Sequence, residues 1–374
     1  MIRFLRTTNK RLLQGTVLLR LDFNTQDDWR MKAVIPTIKL LLSTSAKIII
    51  VSHRGRPENV KIANGNPSGY EKSLSLKKDA ANLSRFLRRK VIFVPHFRFM
   101  EVQKTVAAAP RGSVFLLENF RFLNGEEDNS LSLARSLATV ADFYVNDAFA
   151  VDHRANASLV AITKFLPHYA GLELEKEMIV LGNVMRAPKH PLVFIIGGVK
   201  AAEKLAVIQY FKNKTDWFLL GGGSANTILA LKGIDVENSV RDRDPKNLKA
   251  LAALTAYKNI VLPNDFVWND GMIWDIGPKA VKIFSEKIKA ARSIFWSGPM
   301  GFIEKKNFSR GSIAIARAIT KNRAAFSIAG GGETVMFLKK YGFDKKFSFI
   351  STGGGAMLDF LAGEKLPGIE ALKK

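Results

Sequence analysis

Two glycine runs near one end of the chain, Gly330-Gly331-Gly332-Glu333-Thr334 and, about twenty residues on, Ser351-Thr352-Gly353-Gly354-Gly355, each follow an apolar, β-prone stretch and precede helical patterning. A glycine run at a strand-to-helix turn lets backbone N–H groups approach a ligand and aims the positive end of a helix dipole at it, which suits phosphate. Glu333 and Thr334 open the helix after the first run, where a carboxylate and a hydroxyl could hold Mg²⁺ on that phosphate. One such run does no more than permit a tight turn; two runs closing adjacent strands point to phosphate binding. A second set, Arg30, Arg56, Arg121 and Arg154 with His53 and His153, falls just beyond strand ends or opens the next helix. Arginine suits phosphate and carboxylate because its planar fork donates two parallel hydrogen bonds and keeps its charge. Asp22 and Asn24 are placed to orient those arginines and a substrate hydroxyl, a role compatible with capping the first turn. Lys200 and Lys204 follow the Gly197-Gly198 turn four residues apart, on one helix face. Lys200, nearer the glycines, fits a mobile point charge on a transferring phosphoryl group better than Lys204 does. No serine–histidine–carboxylate triad and no metal-ligand spacing of histidines emerges, so direct phosphoryl transfer between two gathered anions is the expected chemistry.

The elements that must hold these residues alternate between β-rich apolar runs and helix-period segments, the pattern of a parallel α/β sheet. Strands are expected at 17–22, 47–52, 91–93, 114–118 and 143–146, then at 192–196, 217–220, 259–262, 293–296, 326–328 and 347–350. First-half strands end in side-chain-rich strings such as Ser52-His-Arg-Gly-Arg56. Second-half strands end in glycine turns such as Gly197-Gly-Val-Lys200, Gly221-Gly-Gly223 and Gly298-Pro-Met-Gly301. Open α/β sheets place ligands at those ends. Residues 173–185 read as a single helix and a candidate hinge, and 266–274 as a β-hairpin with an Asn-Asp-Gly turn.

A chain of 374 residues is long for one core and defaults to two domains. It has no cysteine, which excludes disulfides and a cysteine nucleophile and fits an intracellular setting; its apolar runs are too short to span a bilayer. The first fifteen residues are basic and acid-free, as in a targeting peptide, yet a core strand beginning near Thr16 leaves little room for a removable leader. The net charge of +24 divides into +11 over residues 1–187 and +13 over 188–374, so it is no basic tail. It favours anionic substrates and weak attraction to polyanions. Clusters such as Arg85-Phe-Leu-Arg-Arg-Lys90 read as solvated helix faces, and no dedicated nucleic-acid site is expected.

The strings RLDFN (20–24), SHRGRP (52–57), LLENFRF (116–122), YVNDAFAVDHRANAS (144–158), GGVKAAEK (197–204), GGGSANT (221–227), LPNDF (262–266), DIGPKA (275–280), WSGPMGFIE (296–304), GGGETV (330–335) and STGGGAMLDFLAGEKLPGIEAL (351–372) occur in order across nearly the whole chain. In these strings the chain resembles the phosphoglycerate kinases. The resemblance implies two doubly wound, Rossmann-like parallel-sheet domains. Residues 1–170, completed by about 358–374, would bind phosphoglycerate, 171–186 would form the hinge helix, and 187–357 would bind nucleotide. It implies reversible transfer between 1,3-bisphosphoglycerate/ADP and 3-phosphoglycerate/ATP with Mg²⁺, after domain closure, by a cytoplasmic monomer. By matched position, Asp22, Asn24, Arg30, His53, Arg56, Arg121 and Arg154 would bind phosphoglycerate. Lys200 and Lys204 would hold nucleotide phosphates, and Lys200 with Arg30 would neutralise the group in flight. Gly198, Gly222, Gly223 and Pro299 would wall the nucleotide slot, and Glu304 would take the ribose. Gly331, Gly332 and Thr334 would meet phosphates, Glu333 the metal, and Gly353 and Gly354 would cap the transfer site.

Departures from the family pattern fall inside and outside that site. Glu333 stands where the family usually has Asp, and Ser297 where it usually has Asn. Ile273-Trp274 replaces a frequent Gly-Leu and narrows the expected adenine slot, while the spans 24–30 and 262–275 are short. The rival readings are a degenerate member that binds without turnover, and a basic protein with a secondary nucleic-acid role.

Overall fold

The computed structural model describes residues 1–58 and 60–373. The chain divides into two compact units, Met1–Ile179 with Lys365–Lys374, and Val180–Glu364.

In the first unit the strands are β1 (Thr16–Arg20), β2 (Lys47–Val51), β3 (Lys61–Ala63), β4 (Asn66–Ser68), β5 (Val91–Val94), β6 (Val114–Leu117), β7 (Phe143–Asn146) and β8 (His168–Ala170). Between them run helices α1 (Trp29–Ala33), α2 (Ile35–Ser43), α3 (Lys77–Leu87), α4 (Phe99–Ala108) and α5 (Leu131–Ala138). Six strands form one parallel sheet in the order β5-β6-β2-β1-β7-β8, with Leu19 opposite both Ile50 and Val145. Alternate residues face opposite sides of a strand, so Val17, Leu19, Ile48, Ile50 and Val145 share a face. They pack there with Met31, Ile38 and Leu41 from α1 and α2 and Leu83 from α3. The opposite face is buried as well, at Leu18, Ile49 and Phe115, which is why these strands read as unbroken apolar runs.

Helix α6 (Leu172–Arg186) carries the chain from the first unit to the second. Its first turn is held by a remote carboxylate: Asp147 Oδ1 accepts from the backbone N–H of Glu173 and of Leu174, both at 2.9 Å. Burial pushes the Asp147 carboxyl up to about 6, against these hydrogen bonds.

The second unit holds β9 (Leu192–Ile196), β10 (Trp217–Leu220), β11 (Ile260–Val261), β12 (Phe266–Asn269), β13 (Met272–Ile276), β14 (Ser293–Ser297), β15 (Phe326–Gly330) and β16 (Phe349–Ile350). Its helices are α7 (Ala202–Phe211), α8 (Gly222–Leu231), α9 (Pro245–Ala252), α10 (Pro278–Ala290), α11 (Arg310–Lys321), α12 (Gly332–Lys340) and α13 (Gly355–Leu361), and α14 (Pro367–Ala371) lies in the returning segment. The parallel sheet runs β11-β10-β9-β14-β15-β16, the doubly wound order in which direction reverses between the first and fourth strands. Around Trp296, which is fully buried, Ile195, Ile294, Phe284, Ile315 and Phe337 close the core.

Both units are therefore parallel α/β sheets, as the alternating pattern implies. The expected hairpin is β12–β13, and its central residues Asp270 and Gly271 both have positive φ, the requirement of a tight type I′ turn. Several elements differ from expectation. Strand β8 has no counterpart among the expected strands, because three residues behind Pro167 are too few to show a period. The β3–β4 hairpin is mostly exposed and carries no apolar alternation. The strands expected at 259–262 and 347–350 shrink to two residues each, β11 and β16, both at sheet edges. The chain rejoins the first unit at Lys365 rather than near 358, because α13 packs on α7 of the second. Among the described residues no helix is long and apolar enough to cross a membrane.

Candidate active site

At the C-terminal ends of β1, β2 and β6 the first unit gathers a cluster of charges. Arg30 Nη1 donates to Asp22 Oδ2 at 2.6 Å, and Asp22 Oδ1 accepts from the Asn24 N–H at 2.7 Å. Asn24 Oδ1 in turn accepts from the Gly55 N–H at 2.8 Å, and Arg121 Nη1 donates to the Gly55 carbonyl at 2.6 Å. Arg154 joins through Glu127, whose Oε1 lies 3.4 Å from Arg121 Nε and 3.9 Å from Arg154 Nη1. Arg56 is exposed and makes no hydrogen bond among the described residues.

Sequence reasoning missed the layer beneath. Arg20, inside β1, is almost fully buried; it donates to Ser158 Oγ at 2.9 Å and to the Leu21 carbonyl, and lies 3.2 Å from His53 Nδ1. Glu126, 3.9 Å from Arg20, accepts from the Ser158 N–H at 2.9 Å. Arg54 clamps Asp79 at 2.6 Å and donates to the carbonyls of Phe23 and Thr25, fixing the turn that carries Asn24. The signal available was a charge inside an otherwise apolar strand, since a buried arginine survives only with partners.

The electrostatics follow from that packing. Burial would raise the Asp22 carboxyl, but Arg30, the Asn24 N–H and Arg20 together hold it below the usual range. Burial, reinforced by Arg20, Arg121 and Arg154 and opposed by Asp22, drives the His53 imidazole well below its ordinary value, so it is neutral. With Nδ1 accepting from Arg20, Nε2 carries the proton. Burial and the Arg154 charge lower even the Arg121 guanidinium to about 10. Three buried nitrogens here, Arg30 Nε, His53 Nε2 and Arg121 Nε, lack a hydrogen-bond partner among the described residues. Such groups are costly unless something accepts from them, and an anion with several oxygens does so.

In the second unit the strand order switches sides between the parallel neighbours β9 and β14, and the turns after those strands lock together through backbone. Gly197 N donates to the Ser297 carbonyl at 2.9 Å and Gly198 N to the Pro299 carbonyl at 2.7 Å. Contact is so close that a Cβ on Gly197 would lie 2.0 Å from the Pro299 oxygen, and one on Gly298, at φ +88°, 2.2 Å from the Gly197 oxygen. Thr334, buried in the first turn of α12, accepts from the Gly298 N–H at 2.7 Å.

A cleft of about 210 Å³ opens beside these turns. Gly198, Gly222, Gly223 and Pro299 wall it, Ile273 and Trp274 lie along it, and Glu304 stands at its exposed rim. Trp274 is fixed by its indole N–H to the Asn269 carbonyl at 2.8 Å and by the rings of Phe302 and Phe308. A neighbouring cleft of about 360 Å³ shares Val199 and Glu333 and holds Lys200, Lys204, Gly331, Gly332, Thr334 and Gly354. Lys204 is buried, and burial lowers its ammonium below the usual range. Lys200 is exposed and donates to Glu203 Oε1 at 2.6 Å, a hydrogen bond that raises its ammonium. Asp275, also missed from sequence, is buried, pushed up to about 7 by burial, and accepts from Gly311 N at 2.7 Å and Ile276 N at 2.9 Å.

One parallel α/β unit ends its strands in guanidinium groups with donors that make no hydrogen bond; the other ends them in glycine turns between an apolar slot and a neighbouring cleft that holds two lysines. That is the fold and equipment of a two-domain phosphotransferase. The sequence profile described as Phosphoglycerate kinase matches residues 8–364. A phosphoglycerate kinase of Dictyoglomus turgidum is 37% identical over 386 residues, covering 96% of this chain and 95% of that protein. A cytosolic phosphoglycerate kinase of Triticum aestivum is 38% identical over 389 residues, covering 95% and 94%. The crystal structure of the phosphoglycerate kinase from Pyrococcus horikoshii superposes with a TM-score of 0.85 at 31% identity, covering 100% of this chain and 98% of that one. The chain belongs to the phosphoglycerate kinase family.

Proposed function

We propose that this chain transfers a phosphoryl group reversibly between 1,3-bisphosphoglycerate and ADP, giving 3-phosphoglycerate and ATP, through the residues gathered above. The observation that carries the acid-binding half is the trio of buried donors without a hydrogen bond on Arg30, His53 and Arg121, the last of them 3.4 Å from the Glu127 carboxylate at the cluster's exposed side. A phosphorylated carboxylic acid offers oxygens for all three, with Arg154 and Arg56 adding charge and Asn24 and Asp22 ordering the turn. Nucleotide is assigned to the clefts of the second unit, its base against Trp274 and the glycine walls, its ribose at Glu304, its phosphates between Lys204, Lys200 and the amides that open α12 and α13. Arg30 and Lys200 neutralise the group in flight, with the Gly331 and Gly354 amides beside it.

Glu333 is the carboxylate for the metal. Among the described residues no group of three or more acidic or histidine side chains is assembled, which fits Mg²⁺, since that ion is usually bound by one or two carboxylates with phosphate oxygens and water. Bound there, Mg²⁺ would neutralise charge on the nucleotide phosphates. Direct transfer also requires in-line contact between acyl phosphate and nucleotide with water excluded. Helix α6 is the natural hinge for such motion in a monomer, and the cytoplasm is the matching setting, which the cytosolic Triticum relative supports.

The test is ATP-dependent phosphorylation of 3-phosphoglycerate coupled to NADH oxidation, with Mg²⁺ and Mn²⁺ compared. Robust turnover is expected. No turnover, in folded protein that still binds 3-phosphoglycerate, would make the chain a binder.

A further inference from the structure

A row of cations lines the end of the second unit's sheet where its strands begin, away from the nucleotide turns. In a parallel sheet all strands start on one edge, and here each start follows a cation one to three residues upstream. Lys258 precedes β11, Lys214 β10, Lys189 β9, Arg292 β14, Arg323 β15 and Lys346 β16. Two concavities lie there. One, of about 730 Å³, is lined by Arg317, Thr320, Lys321, Arg323, Phe343 and Lys346; the other, of about 540 Å³, shares Arg323 and adds Arg292, Lys189 and an apolar floor that includes Val184 and Phe326. Neither lining contains a carboxylate. Arg292, Arg317, Lys321 and Arg323 form no ion pair among the described residues, whereas Asp216 at the same edge is already taken by His190 and the Leu192 N–H. Asp344 is outnumbered on its own loop by Lys345 and Lys346. Arg317 and Lys321 have a local reason, the negative end of α11, but Arg323, Lys346 and Arg292 lie beyond that helix.

We propose that this edge binds single-stranded nucleic acid. Unpaired cations spaced along a shallow track suit a phosphodiester backbone. Phe326 selects single strands: at the first position of β15 it is 45% exposed and lines the same groove as Arg323 and Arg292, and stacking needs an unpaired base. The low-salt attraction expected of a +24 chain is thereby given a location that no single run of sequence displays.

Fluorescence anisotropy with labelled oligouridine, at about 50 and about 200 mM salt, tests the assignment. Arg323→Glu/Lys346→Glu should weaken binding about tenfold or more at low salt and flatten the salt dependence. Phe326→Ser should weaken it about five- to a hundredfold with the salt dependence unchanged. Kinase turnover should survive in both, since neither touches the clefts. Unchanged affinity in the double variant would overturn the proposal, as would an equal loss from Arg88→Glu/Lys90→Glu in the first unit. Binding of phosphatidylserine vesicles without oligouridine would overturn it in favour of a lipid surface. If the variants lose turnover, photo-crosslinking the unaltered chain to a 4-thiouridine oligonucleotide decides: adducts at 187–189, 292–293 or within 317–348 support the site, and adducts confined elsewhere reject it.

Discussion

In the first unit the site is made of side chains that hold one another. Arg30 rests on Asp22, Arg121 on the Gly55 carbonyl, and Arg20 on Ser158 beneath them. In the second unit the site is made largely by leaving side chains out: Gly197 and Gly298 let two backbone turns meet where any Cβ would collide. The first arrangement keeps its geometry in charge and hydrogen bonding, so it answers to pH and to lost partners. The second keeps it in φ angles and van der Waals contact, so it answers to added atoms.

The largest effect that would sharpen this contrast is Arg30→Ala. Turnover should fall about 10²–10³-fold with the nucleotide KM little changed, measured in the coupled assay. A loss confined to the KM for 3-phosphoglycerate would restrict Arg30 to binding. Next is the pair Gly298→Ala and Gly332→Ala, compared by thermal denaturation and nucleotide titration. Gly298→Ala should cost about 1–3 kcal/mol of stability, from its positive φ and its blocked Cβ. A methyl group on Gly332 would have no atom within 4 Å, so Gly332→Ala should leave stability intact and weaken nucleotide binding only. Equal destabilisation by both would break the steric half of the contrast.

A smaller effect separates the units by pH. Burial raises Asp147 to about 6, Asp152 to about 7 and Glu173 to about 8 in the first unit, against Asp275 at about 7 in the second. A carboxyl raised in the folded state contributes stability that is complete below its ordinary value and is lost as pH climbs through the raised one. His53 runs the other way, favouring the fold above the usual imidazole value and losing that contribution as pH falls. Hydrogen exchange between about pH 5 and about pH 8.5 should therefore show β7 and α6 losing more protection than β14. Asp152→Asn should flatten the first unit's slope alone. The smallest expected change is Glu333→Asp, which should alter turnover by no more than roughly threefold and shift the balance between Mg²⁺ and Mn²⁺. Complete loss would show a cleft rebuilt around the longer carboxylate.

The α/β alternation was legible because both faces of each sheet are buried, which writes central strands such as Lys47–Val51 and Leu192–Ile196 as unbroken apolar runs. Strand β8 and the β3–β4 hairpin were not, since β8 is three residues long and the hairpin buries little. Glycine turns announce themselves by composition. The supports of the arginine cluster do not: Ser158 and Glu126 lie over a hundred residues from Arg20 in sequence and meet it only through the fold. Rotamer choice is equally silent, and nothing in GGVKAAEK says that Lys200 will turn to Glu203 while Lys204 is buried.

The return of Lys365–Lys374 to the first unit sets an order of events during synthesis. Gly368 fits against Asp152 so tightly that a Cβ would lie 2.1 Å from its carboxylate, and its N–H donates to the Asp152 carbonyl at 2.9 Å. Those partners leave the ribosome far apart in time. At about 5–20 residues per second the intervening second unit takes on the order of ten to forty seconds to emerge. The half of the molecule translated first is thus the half completed last, waiting on a nascent chain whose second unit can already have folded.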